Sequence, residues 1–281
     1  MASDEARSKI AKAATEASGL LRAPARVIPL LRKLVIDSIR LTLERRHLYS
    51  YASTQRDSAE VLNSLLRWIL DAQRPDGGIA AYYSLLTGYS ESYPEVTGYI
   101  IPTLYDFAGV NGDKAAAARA SAERATRWLL SLQMQSGAFP AGLQGKPDKQ
   151  AQPSVFNTGQ IVQGLVRADR ETNNLEARKA ATRAGDWLVA VQQADGCWSG
   201  PGAYQHERHT YYSMVAWALA ELSERSCAWD SQRDQPYRKA AEKNLDWVMS
   251  HFRPSGWIDG INLRDHATYL HFIAYAIQGA L

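Results

Sequence analysis

The sequence predicts an all-helical protein, an α/α toroid assembled from helical hairpins of about sixty residues each. Three observations predict it: a tryptophan at fixed spacing, a glycine turn in register behind each tryptophan, and alternation of charged with apolar segments. Trp68, Trp128, Trp187 and Trp247 lie 60, 59 and 60 residues apart. Five residues after each stands Gln73, Gln133, Gln192 or Phe252. A turn follows in every unit: Asp76-Gly77-Gly78-Ile79, Ser136-Gly137-Ala138-Phe139, Asp195-Gly196-Cys197-Trp198 and Ser255-Gly256-Trp257-Ile258.

Residues 57–73, 113–133, 176–192 and 236–252 carry Ala, Leu and Val at helical spacing with Arg, Lys and Glu between them, the pattern of helices with one wet face. We read these as outer helices. Each is expected to end near its Gln, with the following Gly stopping it because Gly accepts the left-handed conformation of a helix C-terminus. Segments 94–108, 155–169, 209–224 and 266–281 are poor in charge and rich in small and aromatic residues, as in Thr97-Gly98-Tyr99-Ile100 and Thr158-Gly159-Gln160-Ile161. They read as inner helices, since small residues let buried neighbours approach closely. Pro102 predicts a kink or an early break in the first of them.

Segments 4–19 and 28–46 supply one further pair, so that residues 1–50 form an N-terminal helical pair within a single domain spanning 1–281. The total is four to five hairpins. The stretch from Arg26 to Ile36 also reads as a membrane-surface amphipathic helix, its basic residues flanking an apolar face. A sixth hairpin would need another tryptophan helix beyond Leu281. The toroid is therefore expected to be incomplete or continued elsewhere, with a protein partner covering the open C-terminal edge.

Composition narrows the class. The 281 residues are 46% hydrophobic and 22% charged with a net charge of +3, an ordinary globular balance. Basic and acidic residues interleave on the same helices, and no RNA-binding aromatic signature or basic stripe supports a nucleic-acid partner. Cys197 and Cys227 belong to no Cys-x-x-Cys pair, so neither a disulfide framework nor a structural zinc site is indicated, and we expect no metal or cofactor. The acidic start Met-Ala-Ser-Asp-Glu is unlike a secretory signal, and no apolar run is long enough for an integral membrane segment. A cytoplasmic location is the expectation.

The run from Gln192 to His206, followed by Thr210-Tyr211-Tyr212 and the helix to Leu219, resembles the Gln-turn-Gly-aromatic repeats of the α/α-toroid superfamily. That superfamily includes terpenoid cyclases and protein prenyltransferase β subunits, and the resemblance covers 57–281. It implies the fold more than an activity. The Asp-x-Asp-Asp acid motif of class II terpenoid cyclases has no counterpart here. A prenyltransferase-like zinc set would draw on Asp195, Cys197 and His271, but the first two sit in a helix-ending turn instead of on the inner helix. His271 reads as a core histidine. Two further stretches, Ser92 to Leu104 and His271 to Gly279, look like segments of uncharacterised toroid proteins of bacterial surface-polysaccharide synthesis. That neighbourhood of the superfamily includes glycosidases, polysaccharide lyases and sugar epimerases.

In an α/α toroid the loops leading from outer to inner helices open at one end, so residues distant in sequence converge there. These loops carry Tyr83, Glu91, Tyr93 and Glu95 in the first unit, Tyr204, His206, Arg208, His209, Tyr211 and Tyr212 in the third, and Arg264, Asp265 and His266 in the fourth. Aromatic faces beside carboxylates and arginines suit an oligo- or polysaccharide. A terpenoid pocket would hold fewer ionisable groups. For glycoside hydrolysis the carboxylate pair would be Glu95 and Asp265. For a uronate lyase or epimerase, His209, Tyr211 or Tyr212 would act as base while Arg208 or Arg264 holds the carboxylate. Tyr83, Tyr93, Glu91, Tyr204, His206, Tyr212 and His266 complete the expected binding set. Three readings stay open: a polysaccharide-processing enzyme (hydrolase, lyase or epimerase), a terpenoid cyclase or prenyltransferase relative, and a non-catalytic helical-repeat scaffold.

Overall fold

The structure, a computed structural model, describes residue 35 and residues 57–84, 87–110, 114–144, 152–229, 234–261 and 268–281. The expected N-terminal pair, its membrane-surface alternative apart from Val35, and Arg264, Asp265 and His266 lie outside the described residues. Two compact units are present: Met1–Leu62 with Ser84–Gly88, and Asn63–Tyr83 with Tyr89–Leu281. In the first, Asp57 accepts from the Ala59 backbone N–H at 3.1 Å, a side-chain N-cap for the helix that opens at Ser58.

The elements are α1 (Ser58–Asp71), a strand pair β1 (Tyr83–Ser84) and β2 (Gly88–Tyr89), α2 (Pro94–Gly109), α3 (Ala115–Leu132), α4 (Val155–Thr172), α5 (Leu175–Ala190), α6 (Ser213–Cys227), α7 (Asp234–Met249) and α8 (Leu270–Ala280). Short 3₁₀ turns at Tyr204–His206 and Thr210–Tyr212 lead into α6. The larger unit alternates outer and inner helices as the repeat predicts. On outer helix α3 the buried stripe is Ala118, Ala122, Ala125 and Leu129, at helical spacing with charged residues between. Inner helix α4 is buried without interruption from Val155 to Val166. Its Ser154 and the Asn174 that opens α5 are side-chain N-caps, as their residue types favour.

The repeated glutamine has a clear physical role. Gln73, Gln133 and Gln192 each donate through Nε2 to the turn carbonyl of Gly77, Gly137 and Gly196, at 2.9 Å in every case. The same amide also donates to a carbonyl of the next outer helix: Ser121 at 3.0 Å, Ala180 at 2.8 Å and Ala240 at 2.8 Å. One side chain thus closes its own hairpin and ties it to the neighbouring one. Phe252 replaces these polar bonds with apolar packing against Cys197, Trp247 and Val248.

The glycine turn departs from expectation. Helix α1 ends at Asp71, well before Gly77, so Gly77 is not its cap. Gly77 instead closes a tight turn, its N–H donating to the Arg74 carbonyl at 2.9 Å while Arg74 N–H donates to Gly78 at 2.8 Å. The preceding Asp76 accepts from Gly78 N–H at 3.0 Å, and Asp195 does the same for Cys197 N–H at 3.2 Å. Gly77 takes φ +103°, and a Cβ there would lie 2.9 Å from the Arg124 carbonyl of α3. Positive φ and a neighbouring backbone both demand glycine.

Pro102 neither ends nor shortens α2, which continues to Gly109. The N–H that proline lacks would have bonded the carbonyl of Gly98. That carbonyl instead faces α4, where a Cβ on Gly164 would come within 2.5 Å of it. Close approach through glycine recurs where Gly159 of α4 meets Val215 of α6 and Gly279 of α8 meets Ser213 of α6. The inner helices therefore pack in the order α2, α4, α6, α8. Their line is curved: the Phe156 ring of α4 reaches Tyr275 of α8, with centroids 5.4 Å apart, past the intervening α6. Residues of α4, of the turn before α6 and of α8 thus converge, Phe156 with Tyr211 and Tyr275.

Candidate functional site

Glu95, in the first turn of α2, stands at this convergence. Burial pushes its carboxyl up from the ordinary 4.5 to about 7. No described cation offsets that burial. The groups that feel its charge are tyrosines from three inner elements: Tyr93 and Tyr99 at α2, Tyr211 before α6, and Tyr275 of α8. All four phenols are raised above their usual value, by burial first. Each therefore stays protonated, and the Tyr211 hydroxyl is bonded to that of Tyr212.

Aromatic packing builds the wall behind them. Phe156 meets Tyr211 edge-on at 5.3 Å, and Tyr211 stacks on Phe272 at 4.7 Å with 14° between planes. His209 stacks on the other side of Tyr211 at 4.9 Å. The His209 ring is buried, with Nε2 against the Tyr204 carbonyl at 3.1 Å and Nδ1 without a partner. Burial lowers its pKa, so the ring is neutral near pH 7. Tyr212 is fully buried, its hydroxyl accepting from Tyr204 N–H at 2.7 Å and its phenol raised to about 12 by burial. These contacts fix the loop that carries Tyr211.

Of the residues expected at the site, Glu95, Tyr93, Tyr204, His209, Tyr211 and Tyr212 are thus brought together. Tyr83 packs instead with Trp68 and Tyr89, at 5.6 and 4.9 Å. Glu91 and His206 are exposed. His206 lies against the Gly200 carbonyl at 2.9 Å. Arg208 is engaged with the turn carboxylate of Asp195 at 2.6 Å. His271 is exposed on α8 and not a core histidine, touching Phe272 at 4.1 Å and Tyr275 at 5.8 Å. Among the described residues no group of three or more His, Cys, Asp or Glu is arranged to hold a metal. No described helix is long and apolar enough to cross a membrane.

Loop reading missed Tyr99, Phe156, Phe272 and Tyr275, which lie inside inner helices. The hairpin repeat contained the signal. Glu95 and Phe156 are 61 residues apart, as are the packing glycines Gly98 and Gly159, so one register places both side chains at the mouth.

These features define an α/α toroid with an acid among aromatic rings at its inner-helix mouth. No family model matches the chain, and no curated protein matches it. Among solved structures it is similar to the unsaturated glucuronyl hydrolase of Bacillus sp. GL1, responsible for the degradation of glycosaminoglycan. The identity is 14% and the TM-score 0.63, over 82% of this chain and 69% of that one. It is also similar to a polysaccharide lyase, with 12% identity and TM-score 0.58 over 80% and 67% of the two chains. A possible GH105 family member from Salmonella enterica serovar Paratyphi A follows, with 17% identity and TM-score 0.56 over 85% and 67%. At such identities the likeness is one of fold.

Proposed function

We propose that this protein is a carbohydrate-active enzyme of hydrolase type that takes a uronate-containing oligosaccharide at the inner-helix mouth. Glu95 carries the reading. A carboxyl that titrates near 7 is protonated in an appreciable fraction of molecules at neutral pH, which is what a general acid requires. It would give its proton to the bridging oxygen as the anomeric C–O bond breaks, while water adds to the anomeric carbon and passes its own proton to a second carboxylate. Tyr99 and Tyr275 would present O–H donors, and Tyr211, Phe156 and Phe272 aromatic faces for sugar rings. Asp265, five residues before α8 in the sequence, is the proposed second carboxylate, and Arg264 and His266 are the proposed polar contacts. The saccharide enzymes among the structural neighbours support this reading over a terpenoid one.

The test is turnover of glucuronate-terminated oligosaccharides against neutral counterparts, with reducing ends measured, for wild type and Glu95→Gln. Wild type should cleave the uronate substrates, and Glu95→Gln should bind them while losing at least a hundredfold in kcat. Absence of both binding and turnover in wild type would overturn the proposal, as would full activity in Glu95→Gln.

A further inference from the structure

Helix α4 has two glycine-marked flanks. Gly164 packs on Gly98 of α2, and Gly159 packs on Val215 of α6. At about 100° per residue, the line midway between these flanks runs through Phe156, Gln160, Gln163 and Arg167. The opposite line carries Thr158 and Asp169, and these bond outward: Thr158 accepts from Phe139 N–H at 3.0 Å, and Asp169 pairs with Arg178 of α5 at 3.0 Å. The first line therefore faces the axis. Its two ends are accounted for, Phe156 in the aromatic mouth and Arg167 bonded to Asp106 of α2 at 2.7 Å. Gln160 and Gln163 lie between.

Both amides are anomalous. Gln160 is 1% exposed and Gln163 4%, yet the Nε2 of neither has a hydrogen-bond partner. Most other buried polar side chains of the inner helices, such as Thr97, Asn157 and Ser213, are satisfied. Leaving an amide unpaired in an apolar setting is destabilising, and here two stand on one line of one helix. The register also ties them to the site. Gln160 stands 61 residues after Tyr99, and it occupies in α4 the place that Tyr275 occupies in α8, five residues in from the helix start. Tyr99 and Tyr275 are two of the groups around Glu95.

We infer that Gln160 and Gln163 form an inner subsite whose amide N–H groups, together with the Tyr99 and Tyr275 hydroxyls, receive the carboxylate of the saccharide's terminal uronic acid. The inference rests on the proposed function and deepens it. Each amide has both a donor and an acceptor end, and turned donor-first the two can meet the ionised carboxylate, the strongest acceptor on a uronic acid. The arginines of α4 are committed elsewhere, Arg167 to Asp106 and Glu171 and Arg170 to Glu224, and so is Arg208, to Asp195. Among the described residues no cation acts on Glu95, and recognition by neutral donors adds none that would draw its proton off.

The experiment measures binding by calorimetry for a glucuronate–glucose disaccharide and for its glucose–glucose counterpart, in a Glu95→Gln background that prevents turnover. Gln160→Met and Gln163→Met are introduced singly, and thermal unfolding of each free protein is recorded. We expect each variant to be as stable as its parent or more so, and to bind the glucuronate disaccharide at least tenfold more weakly, with the neutral disaccharide little affected. Unchanged affinity for the glucuronate probe, with or without lost stability, overturns the subsite and leaves the proposed function standing. Equal losses for both probes overturn the carboxylate assignment. If the parent binds neither probe, the reading of the mouth as a saccharide site fails first, and the subsite with it.

Discussion

Glu95→Gln should make the protein more stable at pH 8 and no more stable at pH 4. An unfolded chain titrates this carboxyl near its ordinary 4.5, whereas the folded one holds its proton to about 7. Below 4.5 both states are protonated and the site contributes no difference. Between 4.5 and 7 the unfolded state ionises first, so the folded state binds more protons and stability falls as pH rises. Above 7 the folded protein carries the full cost of a buried charge. At 1.36 kcal/mol for each pH unit between the two values, that cost is up to about 3 kcal/mol. Residual solvent contact of the side chain makes about 1–3 kcal/mol a fair range. Glutamine is neutral throughout and nearly isosteric, so the variant avoids the loss. For a chain of this size the gap corresponds to roughly 3–10 °C in Tm. Urea unfolding of both proteins at pH 4, 6 and 8 gives the comparison directly. A gap that does not widen with pH, or a variant less stable than wild type at pH 8, would mean that Glu95 is well solvated. The case for it as an acid at neutral pH would go with it.

Gln133→Ala removes the bond that closes the second turn at Gly137 and the one that ties it to Ala180 of α5, and urea unfolding should show a loss of about 2 kcal/mol. Gly137→Ala and Gly256→Ala both place a side chain at positive φ, +96° and +82°, but only the former drives a Cβ into the Arg183 backbone carbonyl. Differential scanning calorimetry should find Gly256→Ala costing about 1 kcal/mol and Gly137→Ala at least twice that. Asp169→Asn leaves Arg178 and Arg225 sharing an uncharged partner at the buried end of α4, where Arg225 now bonds the carboxylate at 2.7 Å. Chemical denaturation should register a loss of about 3 kcal/mol.

The helices were readable because each hairpin repeats one physical solution. Tryptophan, glutamine and glycine recur with the same spacing since each unit has to meet its neighbour in the same way, and Gln73, Gln133 and Gln192 show that contact directly. What local pattern did not reveal is how neighbours alter a residue's role. Gly77 looked like a helix cap, but the close passage of α3 and the closing of a turn are what require it. Pro102 looked like a breaker, but glycine at the freed carbonyl lets α4 pack there. The site was legible in part. Glu95 and Tyr211 followed from where their loops had to open, whereas Arg208 was assigned to a ligand although Asp195, thirteen residues earlier, already holds it. Tyr99, Phe156 and Tyr275 escaped because aromatic residues in apolar helices look like core, and only curvature turns one line of each inner helix toward the axis.

That curvature also explains how a repeat protein acquires an acid of unusual pKa without any local device to shift it. The 61-residue register relates Glu95 to Phe156, so the place that holds a carboxyl in one hairpin holds a ring in the next. The tyrosines packed around the Glu95 position, Tyr93, Tyr99, Tyr211 and Tyr275, shield it from water. Putting one carboxylate into such a set desolvates it with no like charge or special hydrogen bond, in keeping with burial as the sole cause of its raised pKa. The same logic applies one turn deeper, where Tyr99 and Tyr275 share a layer with Gln160. There the exception is an amide, and it is left without a partner until something that accepts hydrogen bonds enters the axis.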